Sequence, residues 1–494
     1  MDHRAIEEAQ AINGTKHEIL RSVGGAISPE MEIPKLKWLK NHQEEVYHKA
    51  NHFFDLSDWL SFRLTNNLSR SVCALTCKWL YQPQWVPGLA SIENAHIDQW
   101  LHGLESDGGW CLEFFRQNGM QELITNYKHK VEGDDAFSST KHIGEPVSGE
   151  LASDVAEELQ LKKDTIVSTS IIDAHAGTIG LLSTWLAFNY SETCLTDAKF
   201  AEEVTSTLAL ILGTSACHMK LSRQPLEVKG SWGPYFSAVL PGYWLNESGQ
   251  SAFASLIDRC VASHPSFKRL LCSDDTHESS SVMQVQPHHY AELNSMLLEI
   301  ALNKFNSRES YHLLTTDKHI YPDIHGNRSP LADPHMTACL VGYTMEDSKE
   351  DLTLTYLAAV QSLALQTKQI IENMERQGHQ IKRVALTGGP AANPVLTEVF
   401  AKTLNRDVLT AADDAVTRGC AVTAATASGL YPDLKTSMVQ MGRSSVKGAK
   451  MLTPSSESKD PITSFYEKKY LVYHRMQQDQ LDYRSLMEKL MNSD

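Results

Sequence analysis

Apolar positions in the first hundred residues recur with a helical period. Trp38, Leu39, His42, Glu45 and Val46 share one face, and Asp58-Trp59-Leu60-Ser61-Phe62-Arg63-Leu64 continues the amphipathic habit. Strand-like runs then appear, each closed by a small-residue turn. Thr165–Ile172 ends at Asp173-Ala174-His175-Ala176-Gly177, Thr205–Leu212 at Gly213-Thr214-Ser215, and Arg383–Leu386 at Thr387-Gly388-Gly389-Pro390. The longest helical pattern covers about 350–375, with Leu352, Tyr356, Ala359, Val360, Leu363, Ile370 and Met374 on one face and Gly378 as its stop. Asn393 before Pro394 is the favoured order of cap and first helical residue, which predicts a helix through Leu404. A short strand, Asp407–Thr410, and a small-residue helix over 414–428 follow. Strand, glycine turn, helix and strand in this succession predict an α/β fold.

Length changes the picture by allowing several domains. The 494 residues suggest about two to four at roughly 150 each. A hydrophobic fraction of 42% with 21% charged residues is that of an ordinary globular chain. Lys+Arg 45 against Asp+Glu 60 gives −15, which argues against a general nucleic-acid or anionic-membrane binder. The nine cysteines are dispersed, with no C-x-x-C pair, so no zinc site or disulfide framework is expected and a reduced intracellular setting is. The charged start, Met1-Asp2-His3-Arg4, is unlike a signal peptide, and no run of about 18 apolar residues is present. Triplets such as Asn67-Leu68-Ser69 are therefore read as unused, and the expected location is the cytoplasm. The polar stretch over 265–320 predicts an exposed insertion or lobe connection, and the region after about 440 a polar, partly helical tail.

Neither a G-x-x-x-x-G-K-[ST] loop, H-E-x-x-H nor a G-x-S-x-G elbow is present. The three turns remain. Asp173 ends an apolar strand, where α/β sheets place reactive groups; it also fits an N-cap for a helix through Leu186. His175 reads as a packing or hydrogen-bonding residue. Gly213 and Thr214 offer backbone N–H groups and a hydroxyl suited to phosphate, or form an ordinary turn. Gly388 and Gly389 let a backbone approach a flat ligand, or make a tight connection capped by Asn393. The Asp323–Pro334 loop packs glycine, proline and charge together. The segment Gly242–Ser251 reads as a helix start, with Glu247 either in a pocket or as a solvated first-turn carboxylate.

In this order the segments resemble the FGGY family of carbohydrate kinases, nearest its ribulokinase-like branch. The likeness is carried by Ile172–Gly177, Gly213–Met219, Trp232-Gly233-Pro234-Tyr235-Phe236, the Asp323–Pro330 loop and Gly388-Gly389, and it runs from residue 2 to about 475. The resemblance implies an α/β, two-lobed ATPase fold of the actin/hexokinase/Hsp70 (ribonuclease H-like) type. It implies lobes over 1–190 and 200–430 and a tail over 431–494. It further implies transfer of the γ-phosphoryl group of ATP, with Mg2+, to a pentulose such as D-ribulose or a related polyol. Carried over by position, Asp173 matches the catalytic base. Gly213 and Thr214 match a phosphate turn, Gly388, Gly389 and Asn393 the adenosine positions, and Asp2, Lys78 and Glu247 the sugar contacts. Without the resemblance, Lys78 would read as a surface lysine. No metal ligand is assigned; the expected partner is a small sugar, with a homodimer allowed.

One departure is expected to matter. Met1-Asp2-His3-Arg4-Ala5 matches an internal family segment, so the first strands of the N-terminal lobe and the family's first phosphate/magnesium turn are expected to be missing. Asn13-Gly14-Thr15 does not replace that turn, because no strand precedes it. The alternative expectation is therefore a catalytically impaired or pseudokinase relative.

Overall fold

The computed structural model describes residues 4–83, 106–125, 130–131, 140–191, 194–267, 285–411, 413–454 and 460–491. Its organising element is a seven-stranded mixed sheet built by β1 (Thr207–Leu212), β2 (Ala216–Ser222), β3 (Trp232–Phe236), β4 (Trp244–Gln250), β5 (Arg383–Thr387), β6 (Asp407–Thr410) and β7 (Lys450–Leu452). The spatial order is β7-β6-β5-β1-β2-β4-β3. β1, β5 and β6 run parallel, with Ile211 opposite Thr387, while β2, β3, β4 and β7 join antiparallel. Because side chains alternate along a strand, the sheet feeds two cores. Ala209, Met219, Leu221, Tyr235, Leu245 and Leu409 face a core shared with residues of the N-terminal part, such as Ile12, Leu75, Trp110 and Leu182. Leu208, Leu210, Leu212, Val384, Leu386 and Val408 face the second core.

The helices that place the site are α1 (Val72–Lys78), α2 (Asp173–Asn189), α3 (Pro287–Phe305), α4 (Lys349–Arg376), α5 (Pro394–Leu404), α6 (Ala415–Ala427), α7 (Leu434–Val446) and α8 (Pro461–Met491). α2 is buried on every side from His175 to Leu186, which requires small residues at its crossings. A Cβ on Gly180 would lie 1.9 Å from the Ala415 carbonyl oxygen, and one on Gly419 1.8 Å from that of Ala176. α7 approaches in the same manner, since a Cβ on Gly442 would meet the Ser183 carbonyl oxygen at 2.2 Å. The Arg418 guanidinium donates to the Gly180 carbonyl and locks α6 to α2.

Among the described residues, strands before residue 191 pair only in two-stranded sheets, such as Arg70–Ser71 with Thr140–Lys141 and Pro146–Ser148 with Val167–Ser168. The run Thr165–Ile172 thus supplies two strand residues, not eight. The segment 205–212 divides into a helix end and β1, since Asp197–Ser206 is helical. Along the amphipathic run Asp58–Leu64 burial does not follow hydrophobicity: Trp59 and Leu60 are exposed, and Asp58 and Ser61 are buried. The face drawn through Trp38 and Val46 breaks at Gln43, between helices Glu32–His42 and Glu44–Lys49. No helix among the described residues is long and apolar enough to cross a membrane. All described cysteines are free.

Candidate active site

Gly213 and Gly388 follow the carboxyl ends of the adjacent parallel strands β1 and β5. The second turn needs glycine twice over: Gly388 has φ +100°, and a Cβ there would lie 1.9 Å from the Leu212 carbonyl oxygen. The two turns therefore touch. The first is braced internally by the Gly213 N–H donating to the Ser215 carbonyl at 2.8 Å. Outside it, the Phe253 N–H donates to the Thr214 carbonyl at 2.8 Å and the Ala254 N–H to that of Gly213 at 3.2 Å.

Asp173 is the first residue of α2, with Ile172 as the cap, so the N-cap reading does not hold. The carboxylate accepts from the Ala174 N–H at 2.7 Å and is exposed. One turn later, Gly177 faces the β1 side chain Ile211, which a Cβ would approach to 3.0 Å. Asp173 consequently stands at the same sheet edge as Gly213 and Gly388.

A cavity of about 370 Å³ opens beside the turns, lined by Ala254, Ile257, Tyr290, Asn294, Gly389 and Asn393 among others. Ala254 joins it to the Gly213 turn. Open space surrounds the position of a Cβ on Gly389. Asn393 caps α5, as expected, its Oδ1 accepting from the Val395 N–H at 3.1 Å.

Glu247 does not start a helix. It lies in mid-strand on β4, opposite Met219 of β2, with Trp232 of β3 as its other register partner. A carboxylate in such a place needs cations, and the fold brings them from three elements. Burial alone would raise its pKa; the proximity of His175 and the charges of Lys78 and Arg328 hold it below the usual carboxylate range. Burial is the strongest single influence and works to lower the Lys78 amine, but Glu247, Cys77, Glu32 and Cys73 together outweigh it and hold the amine above its ordinary value. Lys78 Nζ and the Arg328 guanidinium carbon sit 5.9 and 5.5 Å from the Trp232 ring centre, so the indole face carries two cations.

His175 is buried, and its ring joins the first turn of α2 to Ala238, Cys73, Cys77 and Glu247. Nδ1 is 3.1 Å from the Ala238 carbonyl oxygen and 3.2 Å from Cys73 Sγ; Nε2 is 3.8 Å from Glu247 Oε2. It is a hydrogen-bonding residue in the core, in line with the packing or hydrogen-bonding role read from the sequence. The Asp323–Pro334 loop holds Arg328 in place. Buried Asp323 accepts from Asn327 Nδ2 at 2.8 Å and Gln366 Nε2 at 2.6 Å, and Ser329 donates to the Gly230 carbonyl at 2.7 Å.

The described site residues thus gather as two neighbouring groups, Lys78 with Glu247, and Asp173 with Gly213, Thr214, Gly388, Gly389 and Asn393. Asp2 lies outside the described residues. Sequence reasoning assigned no role to Arg328 or Trp232, although both stand in segments it singled out. Nothing in the amphipathic pattern of α3 marked Asn294.

The FGGY family of carbohydrate kinases matches here through its C-terminal domain over residues 208–428 and its N-terminal domain over 1–77. The FGGY carbohydrate kinase domain-containing protein of Xenopus laevis is 37% identical over 492 residues, covering 99% of this chain and 80% of that protein. The chain belongs to the FGGY family of carbohydrate kinases. It is accordingly a phosphotransferase enzyme. A D-ribulokinase of Saccharomyces cerevisiae is 36% identical over 437 residues, covering 87% of this chain and 57% of that one. The solved xylulose kinase of Rhodospirillum rubrum superposes with a TM-score of 0.65 at 12% identity, over 97% of this chain and 78% of the other. A Plasmodium falciparum glycerol kinase with ADP gives 0.64 at 14%, over 96% and 78%. These likenesses establish the two-lobed α/β ATPase fold of FGGY kinases. The family's N-terminal domain matches from residue 1, so the expected loss of the lobe's opening is not confirmed.

Proposed function

We propose that this FGGY kinase transfers the γ-phosphoryl group of ATP to a hydroxyl of a D-ribulose-like pentulose, with Asp173 as general base. The observation that carries the reading is the single sheet edge shared by Asp173, the two glycine turns and the 370 Å³ cavity. Ligands of parallel strands bind outside their carboxyl ends. The wall at Gly389 and Asn393 suits a nucleoside, and the Gly213-Thr214 turn its phosphates. The 36% identity to a D-ribulokinase supports the ketopentose.

Lys78 donates to sugar hydroxyls, Glu247 accepts from them, and Trp232 offers its face to the carbon skeleton. A half-buried lysine and glutamate facing the sugar reject analogues that lack a hydroxyl, because their polar atoms would be left unpartnered. As the sugar oxygen bonds to the γ-phosphorus, the bond to ADP breaks and the hydroxyl proton passes to the Asp173 carboxylate. Mg2+ is implied by the family and takes one or two carboxylates with phosphate oxygens. Asp173 serves as the base in this reading, and among the described residues no group of three or more His, Cys, Asp or Glu gathers to hold the ion. When bound, the ion neutralises charge on the phosphates.

Sugar-dependent ADP release, measured with D-ribulose and related ketoses and polyols, tests the reading. Turnover with a ketopentose is expected; no sugar-dependent release with any of them overturns it.

A further inference from the structure

We infer that Tyr356, Asn294 and Asn393 form a directed hydrogen-bonded ring whose spare N–H groups read the base of the nucleotide, with Tyr356 as a positioning residue behind the cavity. The inference rests on the nucleotide reading above and adds two residues to it.

The ring closes across three helices. Asn294 Nδ2 donates to Asn393 Oδ1 at 3.0 Å, Asn393 Nδ2 donates to the Tyr356 hydroxyl at 2.6 Å, and that hydroxyl donates to Asn294 Oδ1 at 2.9 Å. Its direction is set by one backbone group. The Val395 N–H at the start of α5 needs an acceptor, so the oxygen of Asn393 must face it. The Asn393 nitrogen then faces Tyr356, and the Asn294 nitrogen must face Asn393. Reversing Asn393 would oppose donor to donor, and reversing Asn294 would oppose acceptor to acceptor.

The hydrogen-bond inventory follows. Asn393 Oδ1 has both lone pairs engaged. Each carboxamide nitrogen uses one hydrogen in the ring and keeps one. Tyr356 is fully buried and does not line the cavity, whereas Asn294 and Asn393 do. The side of the cavity formed by Asn294 and Asn393 therefore offers N–H donors, beside the Asp258 carboxylate that accepts from the Tyr290 hydroxyl, between flat aliphatic surfaces supplied by Ile257, Pro390 and Leu396. A purine presents ring nitrogens, which are acceptors, at its edges. Such a ring also holds both donors rigidly before the ligand arrives.

The test is calorimetric binding of ATP and of its 1-, 3- and 7-deaza analogues to the full-length wild type, Tyr356→Phe and Asn294→Asp. In the wild type at least one analogue is expected to bind about 3- to 10-fold more weakly than ATP, the range for one neutral hydrogen bond. Tyr356→Phe should weaken ATP by a similar factor, shrink the discrimination among analogues, and leave D-ribulose affinity unchanged. Asn294→Asp, which puts an acceptor in place of the donor, should weaken ATP further, and it decides the matter should Tyr356→Phe fail to fold. ATP and all analogues binding alike, with both variants silent, overturns the ring and leaves the nucleotide reading standing. Absence of ATP binding to the wild type overturns both.

Discussion

Gly419→Ala tests whether the placement of Asp173 depends on how closely α2 and α6 approach. A Cβ at 419 would lie 1.8 Å from the Ala176 carbonyl oxygen, while real Cβ contacts are not found under 3.0 Å. The helices must separate by at least 3.0 − 1.8 = 1.2 Å at that point. Tilting gives no relief, because Gly180 meets the Ala415 carbonyl oxygen one turn away in the same manner. Ala176 lies in the first turn of α2, three residues from Asp173, so the shift reaches the carboxylate. A misplacement of about 1 Å costs on the order of 100-fold in rate. Overpacking costs about 1–3 kcal/mol, and alanine's better helix propensity returns about 1 kcal/mol. The net destabilisation is about 0–2 kcal/mol on those figures, too small to unfold the protein. Sugar-dependent ADP release at saturating substrates, read beside a thermal melt, separates the two effects. Gly14→Ala is the control, since nothing lies within 4 Å of its added Cβ. A Gly419→Ala enzyme whose kcat stays within threefold of wild type would refute the reasoning.

Three further outcomes follow from the geometry. Lys78→Met should raise the sugar KM by roughly 10- to 100-fold, the worth of one hydrogen bond to a charged group, and leave the ATP KM unmoved in initial-rate kinetics. Glu247→Gln removes the carboxylate charge that faces Lys78 and Arg328; calorimetry should show weaker sugar binding with nucleotide binding intact. Asp58 is buried, and burial, reinforced by Asp55, pushes its carboxyl from 3.8 up to about 7 against hydrogen bonds from Ser170 and Ser71 and the charge of Arg70. The folded chain thus binds the extra proton between about pH 4 and 7, so this contribution is fully present below that window and lost as pH rises through 7. The loss amounts to about 4 kcal/mol at most, at 1.36 kcal/mol per pH unit. Asp58→Asn keeps an oxygen for Ser71 and Ser170, and denaturant melts at several pH values should show that slope removed.

Local features were legible in the sequence, and non-local ones were not. The Asn393–Pro394 helix start and the glycine turns announced themselves because their chemistry is decided within a few residues. Glu247 was misplaced on a helix because Asn246-Glu247-Ser248-Gly249 is a polar run; its strand exists through pairing with β2 and β3, which no local pattern records. The burial of Asp58 was not legible in the amphipathic run, because its partners, Ser71 and Ser170, are distant in sequence. The ordered motifs brought Lys78 and Glu247 to one site. Arg328 and Trp232 joined them only once the Asp323–Pro334 loop was seen docked on Gly230.

The most direct measurement is single-turnover phosphorylation of D-ribulose by wild type and Asp173→Asn, with ATP and sugar affinities determined on the same preparations. Removing a general base costs about 10²- to 10⁴-fold in the chemical step. The account predicts a loss of that size with both affinities held within about twofold, since Asp173 is exposed and supports no packing. Phosphorylation by Asp173→Asn within threefold of wild type would contradict it.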